Sequence, residues 1–209
     1  METLADLVAA GRNRDGAFLD IPGRQTAYSH REFCTNVWKA ASLLGQYGAH
    51  PGGEVAVAVG PKAPPAVEPA GTGHAAEGTA ADRGAGRIDA ADPLLAILGG
   101  TLRGAMVSTT PTSPVAARVL VCPTAWREDL ETTAACSKLV YGATAGESHD
   151  GDGSTSAPDF DRERWSESPV EPPERVTGGL AAIRGSEAVF SHADLLAAVA
   201  AVNMTVFQE

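Results

Sequence analysis

The chain has 209 residues, 44% hydrophobic but only 5% aromatic, with 23 Gly and 14 Pro; that suits one domain with a modest core and many turns. It carries 26 acidic against 16 basic residues, a net charge of -10, so neither nucleic acid nor an anionic membrane surface is expected as a partner. Cys34, Cys122 and Cys136 are odd in number and show no CxxC spacing, which argues against a disulfide framework or a zinc knuckle and for reduced thiols.

Lys occurs only at positions 39, 62 and 138, and the acidic, Ala- and Gly-rich composition suits a salt-rich cytoplasm, where screening weakens self-repulsion. Residues 1–10 hold Glu2 and Asp6 and lack the basic and apolar regions of a signal peptide, and no apolar run reaches membrane-spanning length. A cytoplasmic protein is the expectation.

In chain order, Thr3 with Asp6 forms a capping-box pattern ahead of Leu4, Leu7 and Val8, predicting a short helix that Gly11 stops. Residues 17–21 and 25–28 flank Pro22-Gly23-Arg24 and read as a hairpin. Ser29 with Glu32 then caps a helix whose apolar stripe is Phe33, Val37, Ala41, Leu44 and Tyr47, ending at Gly48. Glu54 to Val59 is a small apolar run typical of a strand buried on both faces.

From Ala63 to Ala91 large apolar residues almost vanish, and residues 66–91 are expected to be a flexible insertion. Asp92-Pro93 opens a helix through Leu94, Leu95, Ile97, Leu98 and Leu102, and Gly104 leads into a strand at Ala105–Ser108. A further strand is predicted at Arg118–Cys122, a helix from Thr124 to about Ala134, and a strand at Lys138–Tyr141. Strands alternating with helices predict an α/β fold with a mostly parallel, helix-covered sheet. The expected organisation is an α/β domain over 1–141, an acidic Gly/Ser/Pro linker over 142–176, and a terminal hairpin-helix over 177–209.

That last unit repeats the first hairpin. Phe18-Leu19-Asp20-Ile21, a turn, then Tyr28-Ser29-His30-Arg31-Glu32-Phe33 is matched by Leu180-Ala181-Ala182-Ile183, a turn, then Phe190-Ser191-His192-Ala193-Asp194-Leu195.

Three blocks together resemble the N-terminal region of AMP-dependent acyl-CoA synthetases, the adenylate-forming, acetyl-CoA synthetase-like family. They are Thr3 to Leu7, Thr26 to Phe33 and Leu43 to Val57. Leu94 to Val107, with Gly99-Gly100-Thr101-Leu102-Arg103-Gly104-Ala105, resembles the family's next helix and strand. The resemblance covers roughly residues 1–141, and its motifs specify fold better than activity.

The family next implies a Ser/Thr/Gly-rich loop ending Pro-Lys-Gly, which cradles ATP phosphates, followed by a helix starting Ser/Thr-His. Anchored on Ser191-His192, residues 179–187 fall there, but Ser186 stands at the lysine and Glu187 at the next glycine. The hairpin repeat accounts for residues 180–195 better. The family's later Tyr-Gly-x-Thr-Glu, Thr-Gly-Asp and lid lysine are also not found in the sequence.

Other candidate motifs read as structure. Ser29-His30 and Ser191-His192 suit helix caps better than nucleophile and base. Gly142 to Ser148 mimics a phosphate loop but holds Glu147 where Lys belongs. Asp150-Gly151-Asp152 opens like a calcium loop, but Thr155 and Asp161 occupy its glycine and glutamate positions. Gly71-Thr72-Gly73 lacks the third glycine of a dinucleotide turn, and His50, His74 and His149 are isolated.

No catalytic residue, metal ligand or cofactor is therefore expected, and no cofactor-binding residue is assigned. The function expected is a non-catalytic relative of the acyl-CoA synthetases, a pseudoenzyme acting as a binding or interaction module for a ligand or for a synthetase. The alternative is one subunit of a split acyl-CoA synthetase completed by another chain. The partner expected is a synthetase, a complementary subunit or a second copy of the chain.

Overall fold

The computed structural model describes residues 1–21, 26–59, 91–142 and 157–206. The apolar run at the centre of the chain forms β3, Glu54–Val57, with Val55, Ala56 and Val57 fully buried. It can be buried on both faces because it lies inside a six-stranded sheet. The other strands are β4, Met106–Ser108, β5, Val119–Pro123, β6, Ser137–Tyr141, β7, Ala181–Arg184, and β8, Val189–Ser191. Their order is β6-β5-β3-β4-β7-β8, and every neighbouring pair is parallel except β7 with β8.

Side chains alternate across this sheet. Val55, Val57, Val119, Val121, Leu139 and Tyr141 enter the main core, while Ala56, Ala58, Leu120, Cys122 and Val140 join a smaller cluster with Val115 and Ala117. The main core is roofed by α2, His30–Gln46, and α3, Asp92–Leu102. Two adjacent glycines let α3 fit between α2 and the strands. A Cβ at Gly99 would sit 2.9 Å from the Ala41 nitrogen and 3.0 Å from the Ala40 carbonyl carbon, both backbone atoms of α2. One at Gly100 would sit 2.8 Å from a Val107 methyl on β4. A short α1, Leu4–Gly11, docks on α2, its Gly11 facing the Cys34 sulfur, and Arg12 lies 3.8 Å over the Trp38 ring.

The two sequence copies form the same local structure. In the first, β1, Ala17–Ile21, pairs antiparallel with β2, Thr26–Ser29, through Ala17↔Ser29 and Leu19↔Tyr28, with a bulge between. In the second, β7 and β8 pair through Ala181↔Ser191 and Ile183↔Phe190, with the bulge at the same place. Both helices open with a reciprocal cap. The Ser29 hydroxyl accepts from the Glu32 amide at 3.2 Å, and the Ser29 amide donates to the Glu32 carboxylate at 2.9 Å. Ser191 and Asp194 repeat this at 3.2 and 2.9 Å at the start of α5, His192–Val206. The copies differ in what they join: β1 and β2 stay a separate two-stranded sheet, whereas β7 extends the large sheet beside β4.

Two stretches depart from the sequence expectation. The helix predicted over Thr124–Ala134 is a single 3-10 turn, Thr124–Trp126, followed by irregular chain. The carbonyls a helix would need are used elsewhere: Lys138 Nζ takes those of Arg127 and Leu130, each at 2.7 Å, and the Val115 amide takes that of Glu131 at 2.8 Å. Within 142–176, expected to be a linker, lies α4, Phe160–Trp165, with Phe160 and Arg164 wholly buried. Of the insertion expected over 66–91, residues 66–90 lie outside the described residues, and Ala91 is buried at the N-cap of α3.

Arg164 explains why α4 is held. Its guanidinium donates to Asn36 of α2 and to Asp161, and lies 3.8 Å from Asp92 at the start of α3. The chain after α4 continues as a strap. Lys39 donates to the Trp165 carbonyl at 3.1 Å, Gln46 to Glu167 at 2.8 Å, and Arg103 pairs with Glu174 at 2.9 Å over Gly45. Burial, reinforced by the nearby Asp161 charge, pushes the Asp92 carboxyl up to about 6 despite Arg164.

Three outcomes follow for stability. Gly99→Ala should cost about 1–3 kcal/mol by denaturant titration, because overpacking against backbone outweighs the better helix propensity of Ala. Gly100→Ala, which meets a side-chain methyl, should cost less. Ser29→Ala and Ser191→Ala should each cost about 0.5–2 kcal/mol and Ser→Asp nearly nothing, with the larger loss at Ser29, whose helix carries Phe33, Val37 and Leu44 into the core.

The third concerns pH. Asp92 has a folded pKa raised above its ordinary value of 3.8, so its contribution is fully present below about 4 and is lost as pH rises through about 6. Asp92→Asn should therefore exceed the wild type in stability at pH 7.5 by roughly 2–3 kcal/mol, the gap closing by pH 4. Thermal melts across that range measure it, and a gap independent of pH would contradict the assignment.

Candidate functional site

In open parallel sheets, ligands gather beyond the carboxyl ends of the strands, where successive crossovers diverge. Here β4 and β5 follow β3 in the chain but flank it on opposite sides, so the carboxyl end of β3 is such a place. The polar groups there bond to one another. The Ala58 amide donates to the Val121 carbonyl at 2.9 Å, and Tyr141 Oη donates to the Ala58 carbonyl at 2.9 Å. Thr124 Oγ1 donates to the Tyr141 carbonyl at 3.0 Å, and the Thr109 amide to that of Arg184 at 3.2 Å. Ser108 is buried. These bonds occupy the groups named, and residues 60–90, which follow β3 directly after Val59, lie outside the described residues.

Residues 179–187, where the resemblance implies a phosphate-cradling loop, form most of a hairpin. Ala181–Arg184 is strand, and a tight turn follows, in which the Gly185 amide donates to the Ala188 carbonyl at 2.9 Å. That amide is spent within the turn. Arg184, the nearest cation in sequence, pairs with Glu54 at 3.1 Å, both half-exposed. Glu187 is exposed on the turn, adding negative charge where a nucleotide would need positive.

The Ser-His pairs are separated in their bonding. Ser29 Oγ donates to Glu32 at 2.8 Å and Ser191 Oγ to Asp194 at 2.7 Å. The bonds from Ser29 hold the Glu32 carboxyl below its usual range, and those from Ser191 do the same for Asp194. His30 Nδ1 lies 3.4 Å from the Gly16 carbonyl. His192 is wholly buried, and its Nδ1 accepts from the Leu4 amide at 3.3 Å, capping the first turn of α1 from across the sequence. Burial pushes its pKa below the ordinary range, in keeping with a neutral ring whose Nδ1 carries no proton. Neither histidine is placed to take a proton from the preceding serine.

Burial disfavours the thiolate at all three cysteines. It raises the pKa of Cys34 and Cys136 and pushes Cys122 up to about 11, away from the thiolate a nucleophile needs. Among the described residues no group of three or more His, Cys, Asp or Glu could hold a metal ion. His50 Nδ1 lies 2.9 Å from the Pro51 carbonyl in an exposed turn. Residues 71–74 and 143–156, with most of the phosphate-loop and calcium-loop look-alikes, lie outside the described residues. An open cleft of about 640 Å³ between the chain start and α5 is lined by Met1, Glu2, Gly178, Gly179, Ala193, Leu196 and Ala197. It offers an apolar wall and a single carboxylate side chain.

The side chain that sequence reasoning missed is Arg164, at the centre of a buried polar cluster. Its signal was local: Asp159 as an N-cap, and Phe160 and Trp165 framing a charged turn, Asp161-Arg162-Glu163-Arg164.

No protein-family model and no curated protein sequence matches the chain. Solved structures do. A fatty acyl CoA synthetase of Mycobacterium tuberculosis superimposes with a TM-score of 0.60 at 11% identity, over 92% of this chain and 35% of that one. A long-chain-fatty-acid-CoA ligase of Archaeoglobus fulgidus gives 0.58 at 13% identity, over 96% of this chain and 38% of the other. The nonribosomal peptide synthetase FmoA3 gives 0.63 at 13% identity, over 98% of this chain and 19% of the other. The chain thus spans little more than a third of the two ligases. No helix among the described residues is long and apolar enough to cross a membrane. The chain has the α/β fold of part of the acyl-CoA synthetases and related adenylate-forming enzymes, as the resemblance of residues 1–141 implied.

Proposed function

We propose that this chain is a non-catalytic module on the acyl-CoA synthetase fold, acting by binding or interaction. The observation that carries this reading is the turn after β7. Where an adenylate-forming enzyme is expected to cradle phosphates, this chain has a strand, a tight turn whose first amide bonds to Ala188, and the carboxylate of Glu187. Phosphoryl chemistry needs oriented amides and cations around developing charge, and a hairpin of this kind supplies neither. Thiols whose pKa burial raises, and serines bonded as helix caps, support the same reading. The ligand class that fits the fold is an acyl, CoA or adenylate compound, or a full-length synthetase as protein partner.

A second reading, a subunit of a split acyl-CoA synthetase, draws on the coverage of the solved structures, of which this chain matches 35% and 38%. One assay separates the two. With ATP, magnesium and a panel of carboxylic acids, the purified chain should show no acid-dependent pyrophosphate exchange above a heat-killed control. Exchange by the chain alone would overturn the non-catalytic reading, and exchange arising only on addition of a complementary chain would establish the split enzyme.

A further inference from the structure

At six residues, α4 is too short to hold as a helix without what it packs against. Its grip lies in Phe160, which enters the main core, and in Arg164, both wholly buried. Just before it, the Pro158 carbonyl accepts from the Val140 amide of β6 at 2.9 Å. The Arg164 guanidinium reaches a junction of β2, α2, α3 and α4. Asn36 of α2 and Asp161 of α4 accept from its two terminal nitrogens, and Asp92, the first residue of α3, lies 3.8 Å away. Tyr28 of β2 faces the same guanidinium, and Arg164 Nε is buried without a partner. Among the described residues, the charged groups that face Asp92 are Arg164, Asp161 and Asp159, the N-cap of α4. One positive charge thus stands among three carboxyl groups. It is bonded to Asp161, while the Asp92 side chain, 14% exposed, is held only by the longer contact.

We propose that α4 is a latch controlled by one proton, docked on α2 and α3 while Asp92 is neutral and loosened when Asp92 ionises. The unit that responds is α4 with its flanking residues rather than the whole domain. In the docked state α4 supplies one wall around Asp92, and the Arg164 charge is already met by Asp161, so a second carboxylate there is a desolvated negative charge beside a like one. In the undocked state the same carboxylate stands at the N-terminus of an 11-residue helix, where water and the helix dipole favour its charge. Opening also gives Arg164 Nε a water partner. Docking pushes the Asp92 carboxyl up to about 6 from its ordinary 3.8, and so takes up a proton. The latch is therefore at full strength below about 4 and weakens as pH rises through about 6. Tyr28, whose pKa burial raises from 10.0, stays neutral across that range.

Amide hydrogen exchange read by NMR tests this, with protection factors removing the ordinary base catalysis of exchange. At pH 7.5 the Glu163 and Val140 amides, which donate to the Asp159 and Pro158 carbonyls, should exchange through an opening that the amides of β3 and β5 do not share. Their protection should rise about tenfold on moving to pH 5. Asp92→Asn, which fixes the neutral form, should hold them at the protected level at both pH values. Glu163 and Val140 amides that exchange only together with those of β3 and β5 would overturn the latch, and so would a pH dependence that survives in Asp92→Asn. If that variant does not fold, the carboxyl carbon resonance of Asp92 in the wild type decides: its midpoint should lie near pH 6 and coincide with the loss of α4 protection, whereas a midpoint at the ordinary 3.8 would overturn the proposal.

Discussion

The close approach of α3 to both α2 and the sheet is the constraint on which the rest of the structure depends. Helices normally keep enough distance for side chains to interdigitate. Here Gly99 removes the Cβ toward α2 and Gly100 removes it toward β4, so one helix meets backbone on one side and strand side chains on the other. Cys34, Val37, Ala40, Ala41 and Leu44 of α2 can then share a single core with Val55, Val107 and Val121 of the sheet. With few aromatic residues available, small residues at the crossing replace bulk with proximity, and dispersion contacts recover what large side chains would have supplied.

The polar elements are arranged around that crossing. Arg164 inserts a guanidinium between α2, α4 and the start of α3, with Asn36, Asp161 and Asp92 around it. A buried ion cluster of this kind contributes less to net stability than to specifying one arrangement, since its desolvation cost offsets most of its Coulomb gain. The burial that pushes the Asp92 carboxyl up to about 6 is part of that cost. Downstream, the strap through Glu167 and Glu174 is pinned by Gln46 and Arg103, so the chain crosses the outer surface of the roof before re-entering the sheet as β7. His192 then ties the end of the chain to its beginning through the Leu4 amide.

Residues 180–191 form a hairpin where the resemblance implies a phosphate-cradling loop. The hairpin after β7 repeats the register, the bulge and the cap of the hairpin before α2. The Gly185 amide, bonded to the Ala188 carbonyl within the turn, has no second proton to give a phosphate. The same segment carries β8 and the start of α5.

Much of the fold was legible from residues alone. The capping pairs Thr3/Asp6, Ser29/Glu32 and Ser191/Asp194 fall where their spacing put them, because a cap is satisfied within four residues of itself. The buried strands at Val55 and Val119 were visible as uninterrupted apolar runs, because a parallel strand has no wet face. The predicted helix at Thr124–Ala134 failed for a non-local reason: Lys138, beyond the segment, claims two of its carbonyls and Val115, before it, a third. α4 was missed because its stability lies in Arg164 reaching Asn36, 128 residues away in sequence. What the sequence determined by itself is therefore everything decided within a turn or along one strand: caps, hairpins, the repeat, and the lack of a phosphate-loop pattern at residues 179–187. Tertiary structure alone decided which copy of the repeat joins the large sheet, where Arg164 goes and how close α3 lies, because those depend on groups brought together only when the chain has packed.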